Sequence, residues 1–347
     1  MPVSPKEKKI FTVFSLIVIA FLVVAPYVII PRAYAGRTDW IKTAPPNAVF
    51  LELWQIDTFE GGSASRARFL EKNAFLYQEQ TINTYVLVRS FDINQAKLML
   101  EQGARPDIIS FGVGAGDYVL PLSAEINANF GVRGDILAGG INEGKQYAIP
   151  WTFGGYCLCA NEDFGELTEE NFALAREKSD KQVIGTGFTY NIPIQTLNDN
   201  EQKFLSDTKL TQYQAYESFL RGNDFQVLLG TQRDFYRLNN KVQLGNLSSI
   251  KYRFMTNYTD LIQYMSITTK DKNLISHAEK FIKFITSNSI QSKLTSIGMF
   301  SVTGQKIYKN EYANFEEALN NKLQVLNVFT PGVQITQMQN KRGENEV

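Results

Sequence analysis

An α/β architecture is what this sequence predicts, and three features predict it. Between Val49 and Gly112, short runs of β-branched and aromatic residues alternate with segments whose apolar positions recur at helical spacing. A similar alternation resumes after Tyr156. The chain, at 347 residues, is also long enough for two domains built this way.

Ahead of these elements lies an uncharged segment. Residues 1–9 are polar, with Lys6, Lys8 and Lys9, and from Ile10 to Pro31 no charged residue occurs. At about 1.5 Å per residue, a helix over that stretch reaches roughly 33 Å, enough for a bilayer core of about 30 Å. The lysines favour a cytoplasmic amino terminus and so send the remainder outside. Two readings stay open for residues 1–35. A secretory signal peptide would be cut after Ala33–Tyr34–Ala35, whereas a signal anchor would stay in the membrane. The anchor is preferred, because the apolar run exceeds a usual signal core of about 7–15 residues. Residues 36–47, with Pro45–Pro46, form a short linker.

Val49, Leu51 and Leu53 run straight into Trp54, a stretch too short for a helix and apolar enough for a buried strand. A Gly-bearing loop, Asp57–Ser63, follows. Leu70, Ala74 and Leu76–Tyr77 then supply helical spacing. The run TYVLVRSF reads as a second strand, a second helix comes after it, and Ile108–Ile109 form a third strand behind Pro106. Strands that alternate with helices pair in parallel through right-handed crossovers, and ligands sit beyond their carboxyl ends. The loops Asp57–Ser63 and Ser110–Gly116 fall at such ends.

Further along come GKQYAIPW at 144–151, a strand Tyr156–Ala160 ending in NEDF, and a helix closing at Phe219–Gly222. VLLG at 227–230 leads into a helix that starts at GTQRD; Gln263–Ser266 carries a return crossing. AEKFIKFITS and QSKLTSIGMFSV follow, with His277 placed at a helix start as a surface or capping residue. These stretches, with the PDII strand at 106–109, resemble the extracellular solute-binding proteins of ABC importers, in particular the carbohydrate-binding group related to maltose-binding protein. The likeness spans roughly residues 47 to 303. It departs from the family in two places. No cysteine follows the apolar segment to carry a lipid, and residues 165–200 lack the family's tryptophan-bearing helix motif.

The resemblance implies a periplasmic-binding-protein-like fold of type II, with two α/β lobes joined by a multi-strand hinge behind the N-terminal transmembrane or signal helix. The first lobe would take 48–148 plus about 266–303, and the second 149–265 plus about 304–335, leaving 336–347 as a disordered tail. It also implies capture of a sugar or oligosaccharide by closure of the lobes, delivery to an ABC permease, and a monomer held at the membrane by its N-terminal helix. Aromatic faces would cover sugar rings, and polar side chains would bond the hydroxyls. Candidates by position in that fold are Trp54, Asp57 and Glu60 from the first loop region, Ser110 and Phe111 from the third strand, Trp151 from the hinge, and Gln232, Arg233 and Tyr264 from the second lobe and its return crossing. A protein that reports to a membrane sensor, or one that takes a non-sugar solute such as a peptide, would use the same lobes.

Composition narrows the other classes. Lys plus Arg and Asp plus Glu are 35 each, so the formal charge is zero and no basic patch suggests nucleic acid. One His and two Cys leave little for a metal site or a Cys–His pair, and no cofactor is implied. Cys157 and Cys159 point to one face of a strand, as two small buried residues or a C-x-C metal or redox pair. No G-x-S-x-G, HExxH or P-loop motif occurs, so the chain is read as a binding protein and not an enzyme.

Overall fold

Leu51 and Leu53 of strand β1 (Val49–Asp57) pack into one core, and Trp54 and Ile56 pack into another on the opposite face. A strand buried on both sides reads as a continuous apolar run, because helices cover both faces of its sheet. The computed structural model describes residues 47–59, 65–178, 182–187, 196–206, 210–222, 224–309, 311–320, 323–332 and 334. The chain divides into two compact units, Met1–Ala48 and Val49–Val347, and the fold belongs to the second. The N-terminal apolar segment and the tail 336–347 lie outside the described residues. Among the described residues, no helix is long and apolar enough to cross a membrane.

Helix α1 (Arg66–Gln80) starts at Ser65, whose side chain accepts the Arg68 N–H, and it turns Phe69, Leu70, Ala74 and Tyr77 inward. Strand β2 (Thr84–Asp92) runs into helix α2 (Ile93–Glu101) through a capping box between Asp92 and Gln95. Strand β3 is Ile108–Phe111. β2 and β3 flank β1 in parallel, in registers from Val49↔Thr84 to Asp57↔Asp92 and with Leu53↔Ile108. This strand–helix–strand–helix–strand order is the one the sequence predicts.

A short hairpin follows, β4 (Ile141–Asn142) and β5 (Lys145–Gln146), turned by Glu143 and Gly144 at φ 48° and 77°. Strand β6 (Ile149–Phe153) then joins the first sheet at its far edge. The second sheet has the order β10-β7-β9-β8, built from β7 (Tyr156–Asn161), β8 (Gln182–Gly185), β9 (Phe225–Thr231) and β10 (Ile250–Phe254). Helix α3 (Glu169–Lys178), helix α4 (Gln212–Arg221) and helix α5 (Gln232–Gln243) connect these strands. Gly222 ends α4 at φ 64°, the left-handed conformation that glycine adopts without strain.

After β11 (Tyr258–Thr259) the chain returns as β12 (Ile262–Ile267), which inserts antiparallel between β3 and β6. The first sheet therefore has five strands in the order β2-β1-β3-β12-β6. Ile149–Phe153 and all of Ile262–Ile267 belong to the first sheet, because their backbone groups pair there. Helix α6 (Lys272–Ile285) covers that sheet with Ala278, Phe281, Ile282 and Ile285. His277 does not lie at a helix start, where the sequence places it. The helix begins at the Asp271 cap, so His277 is mid-helix with Nδ1 3.0 Å from Thr84 Oγ1. A third crossing passes Phe300, which pairs with Phe153, and reaches helix α7 (Glu311–Leu319). There Phe315 stacks on Phe254 at 4.1 Å and meets Phe235 edge-on. Strand β13 (Gln324–Val325) pairs in parallel beside β11.

Candidate functional site

The carboxyl-end loops of both sheets are linked by one line of contacts. A Cβ on Gly112, just after β3, would collide with Thr58 Oγ1 and lie 2.9 Å from Ile262 O, so the loops after β1 and β3 touch the start of β12. One residue earlier, Leu261 O accepts the Gly154 N–H at 2.7 Å. Gly154 and Gly155 form the first crossing between the sheets, and Thr259 Oγ1 donates to Gly154 O at 2.9 Å in the second. Gln232, the first residue of α5, reaches this crossing. Its Oε1 accepts the Gly155 N–H at 3.1 Å and its Nε2 lies 3.2 Å from Met299 Sδ. A side chain on Gly154 would occupy the space of the Gln232 amide, which explains glycine there.

The candidates named from the sequence separate into three groups. Trp54, Phe111 and Tyr264 are fully buried in the core on one face of the first sheet. Trp54 Nε1 donates to Glu52 Oε1, the Phe111 ring lies 6.0 Å from Phe329, and Tyr264 Oη donates to Ile136 O. Ser110, Trp151 and Gln232 are also fully buried, and they lie along the line of contacts at the carboxyl ends and the first crossing. Trp151 Nε1 donates to Ser110 Oγ at 2.9 Å, and its ring stacks on Phe69 at 5.8 Å. These six present no open face to a solute in this conformation. Asp57 and Arg233 keep solvent-facing surface, while Glu60 lies outside the described residues.

Asp57 is half exposed and accepts from Arg66 at 3.0 Å and from Gln55 Nε2 at 3.1 Å. Arg66 in turn lies 4.2 Å over the Phe59 ring and donates to Phe59 O, so the loop after β1 is anchored to the start of α1. Arg233 sits in the first turn of α5, where its N–H donates to the capping Thr231 Oγ1. Asp234 completes that capping box; burial raises its carboxyl above the usual range, against the opposing pull of the Thr231 N–H and Gln212. Gln55, Thr58, Arg66 and Gln263 are site-proximal residues that the sequence reading missed. A signal existed for two of them: a glutamine inside an apolar strand run, in ELWQID and LIQYM, is a polar group that must find a partner.

No protein-family model and no curated protein matches the sequence. Solved structures do match the fold. The sugar-binding protein MalE from Xanthomonas citri aligns with a TM-score of 0.62 at 12% identity, over 86% of this chain and 93% of that one. The GacH receptor of Streptomyces glaucescens, solved unliganded and with acarbose, aligns at 0.60 and 12% over 86% and 94%. A eukaryotic thiaminase-I bound to the thiamin analogue 3-deazathiamin aligns at 0.55 and 11% over 83% and 97%. The fold is thus the type II periplasmic-binding-protein fold of the maltose-binding proteins.

Proposed function

We propose that this chain is the extracytoplasmic solute-binding subunit of an ABC import system and captures a sugar or oligosaccharide between its two lobes. The observation that carries this reading is the arrangement just described. Carboxyl-end loops from two sheets converge on three chain crossings, in a fold that sugar-binding proteins share over most of this chain's length. A ligand that touches both lobes binds the closed form better and so drives closure. Direct contact falls to Asp57 and Arg233, which have surface to offer, and to Glu60 on the same loop. Trp54, Ser110, Phe111, Trp151, Gln232 and Tyr264 set the shape of the floor beneath them. The N-terminal apolar segment would hold the protein, as a monomer, on the outer face of the membrane beside its permease.

Capture without chemistry is the preferred reading within this fold. Cys157 and Cys159 are buried on one face of β7 with their sulfurs 3.7 Å apart, and burial pushes the Cys157 thiol well up, away from a reactive thiolate.

The test is a thermal-shift screen of the full-length chain against mono- and oligosaccharides, polyols, amino acids and short peptides. A ligand that binds only the folded state raises the midpoint by linkage. A dose-dependent rise with one carbohydrate class, lost in Arg233→Ala and in Asp57→Asn, is the expected result. A rise only with peptides or amino acids would remove the sugar assignment. Silence across the panel would remove the capture reading.

A further inference from the structure

The face of β1 that carries Trp54 and Ile56 continues to the start of the strand as Phe50, because alternate residues point the same way. Helix α2 covers only part of that face. Its Ala96 and Leu100 belong to the core around Trp54 and Ile56, while Phe50 stays 48% exposed. On β2, Tyr85 and Leu87 are the register partners of Phe50 and Glu52. Tyr85 stacks on Phe50 with ring centroids 5.1 Å apart, and Leu87 stands 56% exposed beside them. Ile82, in the turn that leads into β2, is 90% exposed. The Arg89–Glu52 ion pair at 2.8 Å bounds this patch on its carboxyl side. β2 is also an edge of its sheet, and among the described residues it pairs with β1 alone.

Single exposed apolar side chains are ordinary on a protein surface. A contiguous group of them beside an open strand edge is a surface for a partner. The course of the chain says which partner. The uncharged run ends at Pro31 and β1 begins at Val49, so residues 32–48 alone separate them, 17 by that count. Whatever their conformation, 17 residues reach at most about 60 Å. Phe50 is the second residue of β1, so the patch is the first folded surface after the run. Tethering within that radius keeps its effective concentration at the lipid high, and a small apolar area then suffices for contact.

We propose that the amino-terminal ends of β1 and β2 form a lipid-facing surface, by which the first sheet rests on the bilayer that holds the Ile10–Pro31 run. The proposal rests on the reading of that run as a membrane anchor. Phe50, Tyr85, Leu87 and Ile82 settle at the headgroup boundary, where aromatic and aliphatic groups are accommodated and the open edge of β2 still meets water. Asp57 lies seven residues beyond Phe50 on the same strand, about 23 Å at 3.3 Å per residue. Contact through this end of the sheet therefore keeps the carboxyl-end loops off the membrane and open to a solute.

The test uses the full-length chain reconstituted into vesicles of phosphatidylcholine and phosphatidylglycerol. An environment-sensitive dye is attached at Leu87→Cys or, as a control, at Tyr213→Cys on α4; Cys157 and Cys159 are buried and stay unlabelled. The expected result is a blue shift at position 87 and quenching there by lipid spin-labelled at the headgroup, with neither at position 213. Adding Phe50→Ser and Ile82→Ser to the Leu87→Cys variant should reduce the quenching. A chain that withstands carbonate extraction while position 87 stays in water, or with both positions quenched equally, would overturn the surface and leave the anchor standing. A chain released by carbonate would remove the anchor and this proposal with it. A shift at position 87 that grows with protein density and is not quenched by the labelled lipid would give the face to a second copy and overturn the lipid assignment.

Discussion

The two sheets solve the problem of buried polarity in opposite ways. The first keeps its interior neutral, with Gln55, Ser110, Gln263 and Trp151 in one row, and leaves its Arg66–Asp57 ion pair at the edge with Asp57 half exposed. The second surrounds its sheet with rings, Phe235, Phe254, Tyr312 and Phe315, and carboxylates are buried in the same half of the molecule. Asp260 accepts from Tyr156 Oη at 2.5 Å, and Glu316 accepts the N–H groups of Ile307 and Tyr308. The difference teaches where each half is vulnerable. Amides and hydroxyls do not titrate near neutrality, so the first sheet is sensitive to shape, whereas the second is sensitive to shape and to protons.

The largest break should come from the ring cluster. Phe315→Ala removes partners from Phe235, Phe254 and Phe300 together, and about 3–5 kcal/mol of stability should go with it in urea unfolding. Next is Gly112→Ala in the first half. The added methyl meets Thr58 and Ile262 O, and overpacking of this kind costs about 1–3 kcal/mol in the same measurement.

Protons sharpen the comparison further. Burial raises the Glu316 carboxyl above its ordinary value despite the opposing N–H bonds from Tyr308 and Ile307. A raised folded value means that folding favours the protonated form. The stability tied to this group is present below the unfolded carboxyl range and declines as pH rises through the folded value. Glu316→Gln should therefore flatten the decline of the melting midpoint with rising pH. Asp135 runs the other way. Burial pushes it up, but Arg133 and the Leu323 N–H outweigh that and lower it. Its contribution is present above the unfolded range and lost as pH falls through the folded value, so Asp135→Asn should matter at neutral pH and cease to matter in acid. The smallest effect belongs to Lys145→Ala. Its pair with Glu125 at 2.8 Å is solvated, and the midpoint should not move beyond error.

The β1–α1–β2–α2–β3 unit was legible because its elements alternate locally, each signalled by its own period and caps. The insertion of β12 was not. LIQYM reads as a crossing strand, but its place between β3 and β6 rests on pairings with residues more than a hundred positions away. The strand ends that carry the candidate loops were likewise legible. Which aromatic faces a solute was not, because a sheet covered on both sides gives Trp54, Phe111 and Tyr264 the same sequence signature inside the core as beside a ligand. His277 was misplaced for a local reason. Asp271 caps the helix further upstream than the apolar spacing alone suggests.

The position of β12 also sets an order of events during synthesis. β3 can pair with β1 as soon as both have left the ribosome, but its other neighbour does not yet exist. Residues 154–261 must be added first, which at about 5–20 residues per second takes roughly 5–20 s. For that interval the far edge of β3 and the whole of β6 lack the strand that joins them, and an open apolar edge recruits whatever strand is nearest.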